Sequence, residues 1–131
     1  MAGERILIVE DEEDIQELLR YNLSKEGYRI SSVFTAEEGL QRSLTDTPDL
    51  ILLDLMLPGM DGLAFRHHLK QDPATRDIAV IMVTARDVVS KIRADGEGEA
   101  DDYIAKPFSV DQLLSTVRTV LDRRVRGPVK E

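Results

Sequence analysis

The sequence predicts an α/β domain built on a parallel sheet. Short aliphatic runs alternate with segments of helical period, the pattern of repeated strand–helix units. Ile6-Leu7-Ile8-Val9, Leu50-Ile51-Leu52-Leu53 and Val80-Ile81-Met82-Val83 are apolar at every position, as buried strands are. A chain of 131 residues, 42% hydrophobic, is long enough for one real core.

Taken in order, the run from Ile6 gives a first strand. A helix follows from near Asp14 to Glu26, with Ile15, Leu18, Leu19 and Leu23 on one face and Gly27 as its left-handed stop. Thr35-Ala36-Glu37-Glu38 has capping-box spacing and opens a second helix through Leu40 and Leu44. The run from Leu50 is the central strand, and Pro58-Gly59 is the turn after it. A third helix carries Leu63, Phe65 and Leu69, with Asp61 at its cap, and Pro73-Ala74-Thr75-Arg76 reads as the loop that follows. After the strand at Val80, the residues Val88, Val89 and Ile92 begin an apolar face that Asp95-Gly96-Glu97-Gly98-Glu99 breaks. Two glycines cost roughly 1 kcal/mol each in a helix interior, so this helix is expected to be short, frayed or mobile. Tyr103-Ile104-Ala105 is a further strand. Ser109-Val110-Asp111-Gln112 repeats the capping spacing and opens a last helix with Leu113, Leu114, Val117, Val120 and Leu121 facing the core. Its basic end, Arg123-Arg124-Val125-Arg126, complements the helix dipole, and Gly127-Pro128 marks a tail or the start of a linker. A domain over residues 1–124 and a tail over 125–131 follow.

Composition narrows the function. A net charge of −8 disfavours general binding to nucleic acid or to an anionic membrane surface. The absence of cysteine excludes disulfides, thiol catalysis and thiolate metal sites. No stretch has the length of a membrane span, and the first residues lack the apolar core of a signal peptide, so a cytoplasmic location is expected.

The apolar runs deliver polar residues of one chemistry. Glu10 and Asp11 follow the first, Asp54 the central one, Thr84 the next and Lys106 the last. If the strands are parallel, these groups meet at one edge of the sheet, where ligands bind in open α/β folds. Three carboxylates together repel one another unless a cation or a lysine intervenes. Oxygen donors without histidine or cysteine favour Mg²⁺. Thr84 and Lys106 are then hydrogen-bond and charge partners for phosphoryl oxygens, and Asp54 is the best-placed nucleophile for forming an aspartyl phosphate.

With these residues in hand, the chain resembles the receiver domain of two-component response regulators, closest to the type found in winged-helix transcriptional regulators. The matching motifs are Ile8-Val9-Glu10-Asp11-Glu12, the run from Leu52-Leu53-Asp54 to Met60-Asp61-Gly62, Val83-Thr84-Ala85-Arg86, and Ala100-Asp101-Asp102-Tyr103-Ile104-Ala105-Lys106-Pro107-Phe108. The resemblance implies a doubly wound, five-stranded parallel sheet of flavodoxin-like order 2-1-3-4-5 with five flanking helices. It implies a regulatory phosphoacceptor rather than an enzyme, with Asp54 taking a phosphoryl group from a sensor histidine kinase, a histidine phosphotransfer protein or a small-molecule donor. It implies that Glu10, Asp11, Asp54 and the Met56 backbone carbonyl hold Mg²⁺, or Mn²⁺ in its place, and that Thr84 and Lys106 contact the phosphoryl group. A cis bond between Lys106 and Pro107 is expected by the same resemblance. So is an aromatic switch in which Tyr103 rotates inward as Thr84 moves, remodelling the surface of helix 4, strand 5 and helix 5. Met56 and Arg86 flank the path of attacking water. Neither is a base, so slow self-dephosphorylation is expected.

The output face departs from the winged-helix type, which dimerises on phosphorylation. Asp101 and Asp102 fit its dimerisation set, but Thr116 replaces a usual arginine. Gly96 stands near a usual apolar position, and Glu99 replaces a usual glycine. A free-standing receiver or phosphorelay intermediate is the alternative to a transcription factor's receiver. An aspartate-nucleophile phosphatase is disfavoured because Met56 occupies the place of its second carboxylate. A nucleotide- or flavin-binding domain is disfavoured by the lack of a glycine-rich phosphate loop. His67 and His68 are adjacent on a helix and face different directions, which suits surface or packing roles.

Overall fold

In the computed structural model, the described residues are 3–55, 57, 60, 62–95 and 100–126. Strands β1 (Arg5–Val9), β2 (Arg29–Val33), β3 (Leu50–Asp54), β4 (Ala79–Ala85) and β5 (Asp102–Lys106) alternate with helices α1 (Glu13–Lys25), α2 (Ala36–Thr45), α3 (Gly62–Gln71), α4 (Arg86–Asp95) and α5 (Val110–Arg126). All neighbouring strands are parallel, in the order β2-β1-β3-β4-β5. This is the doubly wound, flavodoxin-like fold that the motifs imply.

Successive strand residues point to opposite faces, so each apolar run feeds two cores. Ile6, Ile8, Leu50, Leu52, Ile81 and Val83 pack with Leu19 and Leu23 of α1 and with Leu113, Val117, Val120 and Leu121 of α5. Leu7, Val9, Ile51, Leu53, Val80 and Met82 pack with Ala36, Phe65, Leu69 and Ile92 of α2, α3 and α4 on the other face. Every residue of β3 is buried, which makes it the strand least open to water.

Local signals set the helix ends. The Thr35 hydroxyl accepts from the Glu38 N–H at 3.1 Å, and the Glu38 carboxylate accepts from the Phe34 N–H at 3.2 Å, one residue earlier than a strict capping box. Ser109 Oγ accepts from the Gln112 N–H at 3.0 Å at the start of α5. Gly27 has φ +94°, the left-handed stop expected after α1. Helix α4 begins directly after β4 and spans ten residues, as many as α2 and α3. The expected break at Gly96 and Gly98, the Pro58-Gly59 turn, the Asp61 cap, and the Gly127-Pro128 tail lie outside the described residues.

Three apolar residues placed on helix faces by period are substantially exposed: Leu18 at 43%, Leu44 at 54% and Leu63 at 39%. The apolar stripes of α1, α2 and α3 are wider than the strip of sheet each helix covers. Among the described residues no helix is long and apolar enough to cross a membrane.

Candidate functional site

The site lies where β1, β3, β4 and β5 end. Glu10 follows β1, Asp54 closes β3, Thr84 sits near the end of β4 and Lys106 closes β5. Parallel pairing keeps these ends level: Val9 is beside Leu53, Asp54 beside Val83, and Thr84 beside Ala105. Side chains far apart in sequence, such as Glu10 and Lys106, therefore meet.

Glu10 and Asp54 are buried while Asp11 is exposed, and one carboxylate oxygen from each lies within 4.8 Å of the others. The Lys106 ammonium leans into this cluster, 3.2 Å from Glu10 Oε1, 3.5 Å from Asp54 Oδ2 and 3.7 Å from Glu12 Oε1. The second oxygen of Glu10 accepts from the Glu12 N–H at 3.1 Å. Burial pushes the Glu10 carboxyl up to about 7, and the Asp54 charge pushes the same way. The Glu12 N–H and Lys106 pull against both. For Lys106, burial disfavours the ammonium, but the charges of Asp54 and Glu10 outweigh it and raise its pKa above the ordinary lysine value.

The Thr84 hydroxyl is buried and has no hydrogen-bond partner among the described residues. A buried hydroxyl left this way costs about 1–3 kcal/mol. Tyr103, on β5 opposite Met82, packs against the core on the α2–α4 face, and its hydroxyl oxygen is enclosed. Arg86 is exposed at the first position of α4, and the Lys106–Pro107 peptide is cis. Met56, expected both as a carbonyl ligand and beside the water path, lies outside the described residues.

The turn after Asp54 is held by Gly62. Its N–H donates to the Leu55 carbonyl at 3.0 Å, and a Cβ added there would stand 2.9 Å from Leu55 Cα. No side chain fits that approach, which is why α3 starts on glycine.

Two contributors escape the sequence reading. Glu12 reaches Lys106 from the N-cap of α1, but it is one of five consecutive acidic residues and nothing in the run distinguishes it. Gln16 does carry a signal: it is polar, yet it shares the buried phase of α1 with Leu19 and Leu23. Its carboxamide donates to the Glu10 carbonyl at 3.1 Å and to the Val33 carbonyl at 2.9 Å. His67 and His68 are both exposed on α3, and His67 meets Gln71 at 2.9 Å, far in role from the strand-end cluster.

Comparison with known proteins agrees with this geometry. The family described as the response regulator receiver domain matches residues 6–118. The phosphate regulon transcriptional regulatory protein PhoB of Rhizobium meliloti is 42% identical over 120 residues, 91% of this chain and 52% of that protein. The DNA-binding dual master transcriptional regulator RpaA of Synechocystis is 41% identical over 125 residues, 95% of this chain and 52% of that protein. The chain thus spans about half the length of these curated relatives. A crystal structure of a response regulator from Chloroflexus aurantiacus superposes with a TM-score of 0.85 at 34% identity, covering 92% of this chain and 99% of that one. The receiver domain of the sensor histidine kinase PA1611 from Pseudomonas aeruginosa, solved with a magnesium ion in its active site cleft, superposes with a TM-score of 0.81 at 28% identity, covering 92% and 99%. With its matched sequence, its strand order and its level row of strand-end acids, this chain belongs to the receiver domains of two-component response regulators.

Proposed function

We propose that this receiver is a switch thrown by phosphorylation of Asp54, the donor being a phosphohistidine on a sensor histidine kinase or histidine phosphotransfer protein. The observation that carries this reading is the convergence of Asp54 with Glu10, Asp11, Thr84 and Lys106 at one sheet edge. An Asp54 carboxylate oxygen attacks phosphorus, and the P–N bond to the donor imidazole breaks. The leaving nitrogen keeps the electron pair and takes a proton from solvent. The product is an acyl phosphate, and the chain supplies positioning and charge rather than a second catalytic carboxylate.

The residues fit a hard divalent cation. Their donors are all oxygen, two of the three clustered carboxylates, Glu10 and Asp54, share one ammonium, and the Thr84 hydroxyl, without a partner among the described residues, suits a phosphoryl oxygen. Glu10, Asp11, Asp54 and the Met56 carbonyl would hold Mg²⁺ or Mn²⁺. When bound, such a cation neutralises the clustered carboxylates and the charge on the transferring phosphoryl group. Lys106 and Thr84 contact the phosphoryl oxygens, and the cis Lys106–Pro107 unit belongs to this phosphoryl-binding end of β5. Met56 and Arg86 crowd the path of hydrolytic water without activating it, so the phosphate persists.

When Thr84 is drawn toward the phosphoryl group, Tyr103 rotates further inward and remodels the α4–β5–α5 surface. Because the curated relatives are transcriptional regulators of about twice this length, that surface is read as controlling a DNA-binding output domain, with dimerisation on phosphorylation. The receiver then occupies residues 1–124 and the tail 125–131 leads toward a linker. The domain itself contacts neither nucleic acid nor membrane and works in the cytoplasm. One observation favours a free-standing receiver instead. Asp101, an acid of the dimerisation set, has its carboxylate engaged by the Val80 N–H at 2.7 Å, while its own N–H binds the Val80 carbonyl at 2.8 Å.

Incubation with acetyl phosphate and Mg²⁺, read by intact mass and light scattering, tests both levels. One phosphoryl mass, removed by hydroxylamine and absent in Asp54→Ala, supports the switch. Equal labelling of Asp54→Ala sinks it. An unchanged oligomeric state in the labelled protein selects the free-standing form.

A further inference from the structure

We infer that Gln16 is a positioning residue for the divalent-cation site, tying the Glu10–Asp11 turn to the end of β2. The inference rests on reading Glu10, Asp11 and Asp54 as that site.

Gln16 lies in the second turn of α1, is 5% exposed, and hydrogen-bonds through its side chain to backbone carbonyls rather than to the three carboxylates. Its carboxamide nitrogen has two hydrogens, and both are used. One goes to the Glu10 carbonyl at 3.1 Å, the other to the Val33 carbonyl at 2.9 Å. Val33 closes β2, and its carbonyl also accepts from the Glu10 N–H at 3.2 Å. Glu10 is therefore held at both its N–H and its carbonyl. These contacts converge on the last residue of β2 and on one side chain of α1.

The consequence is directional. Glu10 stands just past the sheet, where ladder hydrogen bonds end. Its side chain must nevertheless stay in a cluster whose members repel one another. The Glu12 N–H and Lys106 fix its two carboxylate oxygens, but both partners also lie at this edge. Gln16 anchors the backbone beneath that side chain to a buried helix face shared with Leu19 and Leu23. Without the carboxamide, two buried carbonyls lose a donor and the turn bearing Glu10 and Asp11 can rock outward. Partners that orient metal ligands without touching the metal typically carry 10–100-fold in affinity.

The experiment is Mg²⁺ titration by calorimetry on Gln16→Met, which keeps length and volume and removes both donors. Leu69→Ala, a buried substitution late in α3 on the other face of the sheet, is the control for general destabilisation. The expected result is a Mg²⁺ dissociation constant raised about 10-fold or more in Gln16→Met and unchanged in Leu69→Ala. Acetyl phosphate labelling should recover its wild-type rate at saturating Mg²⁺, placing the defect in metal holding. Gln16→Asn, whose carboxamide is one methylene short, is read by the same criterion if Gln16→Met does not fold. A folded Gln16 variant that binds Mg²⁺ as tightly as wild type overturns the inference. Wild-type protein that binds no Mg²⁺ overturns the metal reading beneath it, which is a different result.

Discussion

Replacing Glu10 with glutamine in the metal-free protein should stabilise the fold at neutral pH, by an amount that grows with pH. The Glu10 carboxyl sits at about 7 in the fold against 4.5 in a free chain, because burial and the nearby Asp54 charge both oppose its ionisation. Between those values the folded state holds a proton that the unfolded state has released, so stability falls as pH rises through the window. The full shift corresponds to about 3 kcal/mol, of which about 2–3 kcal/mol develops between roughly pH 5 and pH 8. In Glu10→Gln the carboxamide keeps one acceptor oxygen for the Glu12 N–H or Lys106, much as the protonated carboxyl does in acid, and carries no charge at any pH. The variant should therefore be about as stable as wild type in acid and about 3 kcal/mol more stable at roughly pH 8. Urea unfolding followed by circular dichroism, with EDTA present, measures the gap. Saturating Mg²⁺ should reverse it, since the cation stabilises only the chain that binds it. A gap that stays constant with pH would refute the account of a strained carboxylate cluster.

Three further outcomes follow from the same geometry. Thr84→Val removes a buried hydroxyl that has no partner among the described residues, so the unphosphorylated domain should gain up to about 1 kcal/mol in urea unfolding while losing the Tyr103 response to beryllofluoride in NMR spectra. Destabilisation by Thr84→Val would mean the hydroxyl is already satisfied. Gly62→Ala forces a Cβ to 2.9 Å from Leu55 Cα and should cost about 1–3 kcal/mol, with weaker Mg²⁺ binding because the displaced segment follows Asp54 directly. Met56→Asn should accelerate loss of the phosphoryl group, measured by following intact mass after donor removal. An unchanged lifetime counts against Met56 as a barrier to water.

Much of this fold is legible from residues alone. β1, β3 and β4 are apolar at nearly every position because helices cover both faces, and their polar ends mark the site. β2 is not legible. Its residues, Arg29-Ile30-Ser31-Ser32-Val33, form an edge strand that is only partly buried and so need no apolar run. Strand order is also beyond periodicity, since any parallel arrangement gives the same pattern, and only the family motifs carry it. Within the site, Glu10, Asp11, Asp54, Thr84 and Lys106 are found because each follows a buried run. Glu12 and Gln16 are missed because both act from α1, where no strand end points to them. For Gln16 the signal is present as a polar residue on the buried phase of a helix. Leu18 and Leu44 show the converse error, since helical period places apolar residues on a face without telling how far the sheet extends beneath them.

The central claim is that Asp54 alone receives the phosphoryl group. Borohydride reduction of the acetyl phosphate-treated domain converts an aspartyl phosphate to homoserine, which peptide fragmentation then locates. Homoserine at position 54, and at no other position, is the predicted result. Homoserine at position 11, or a phosphoryl group on His67 or His68, would contradict it.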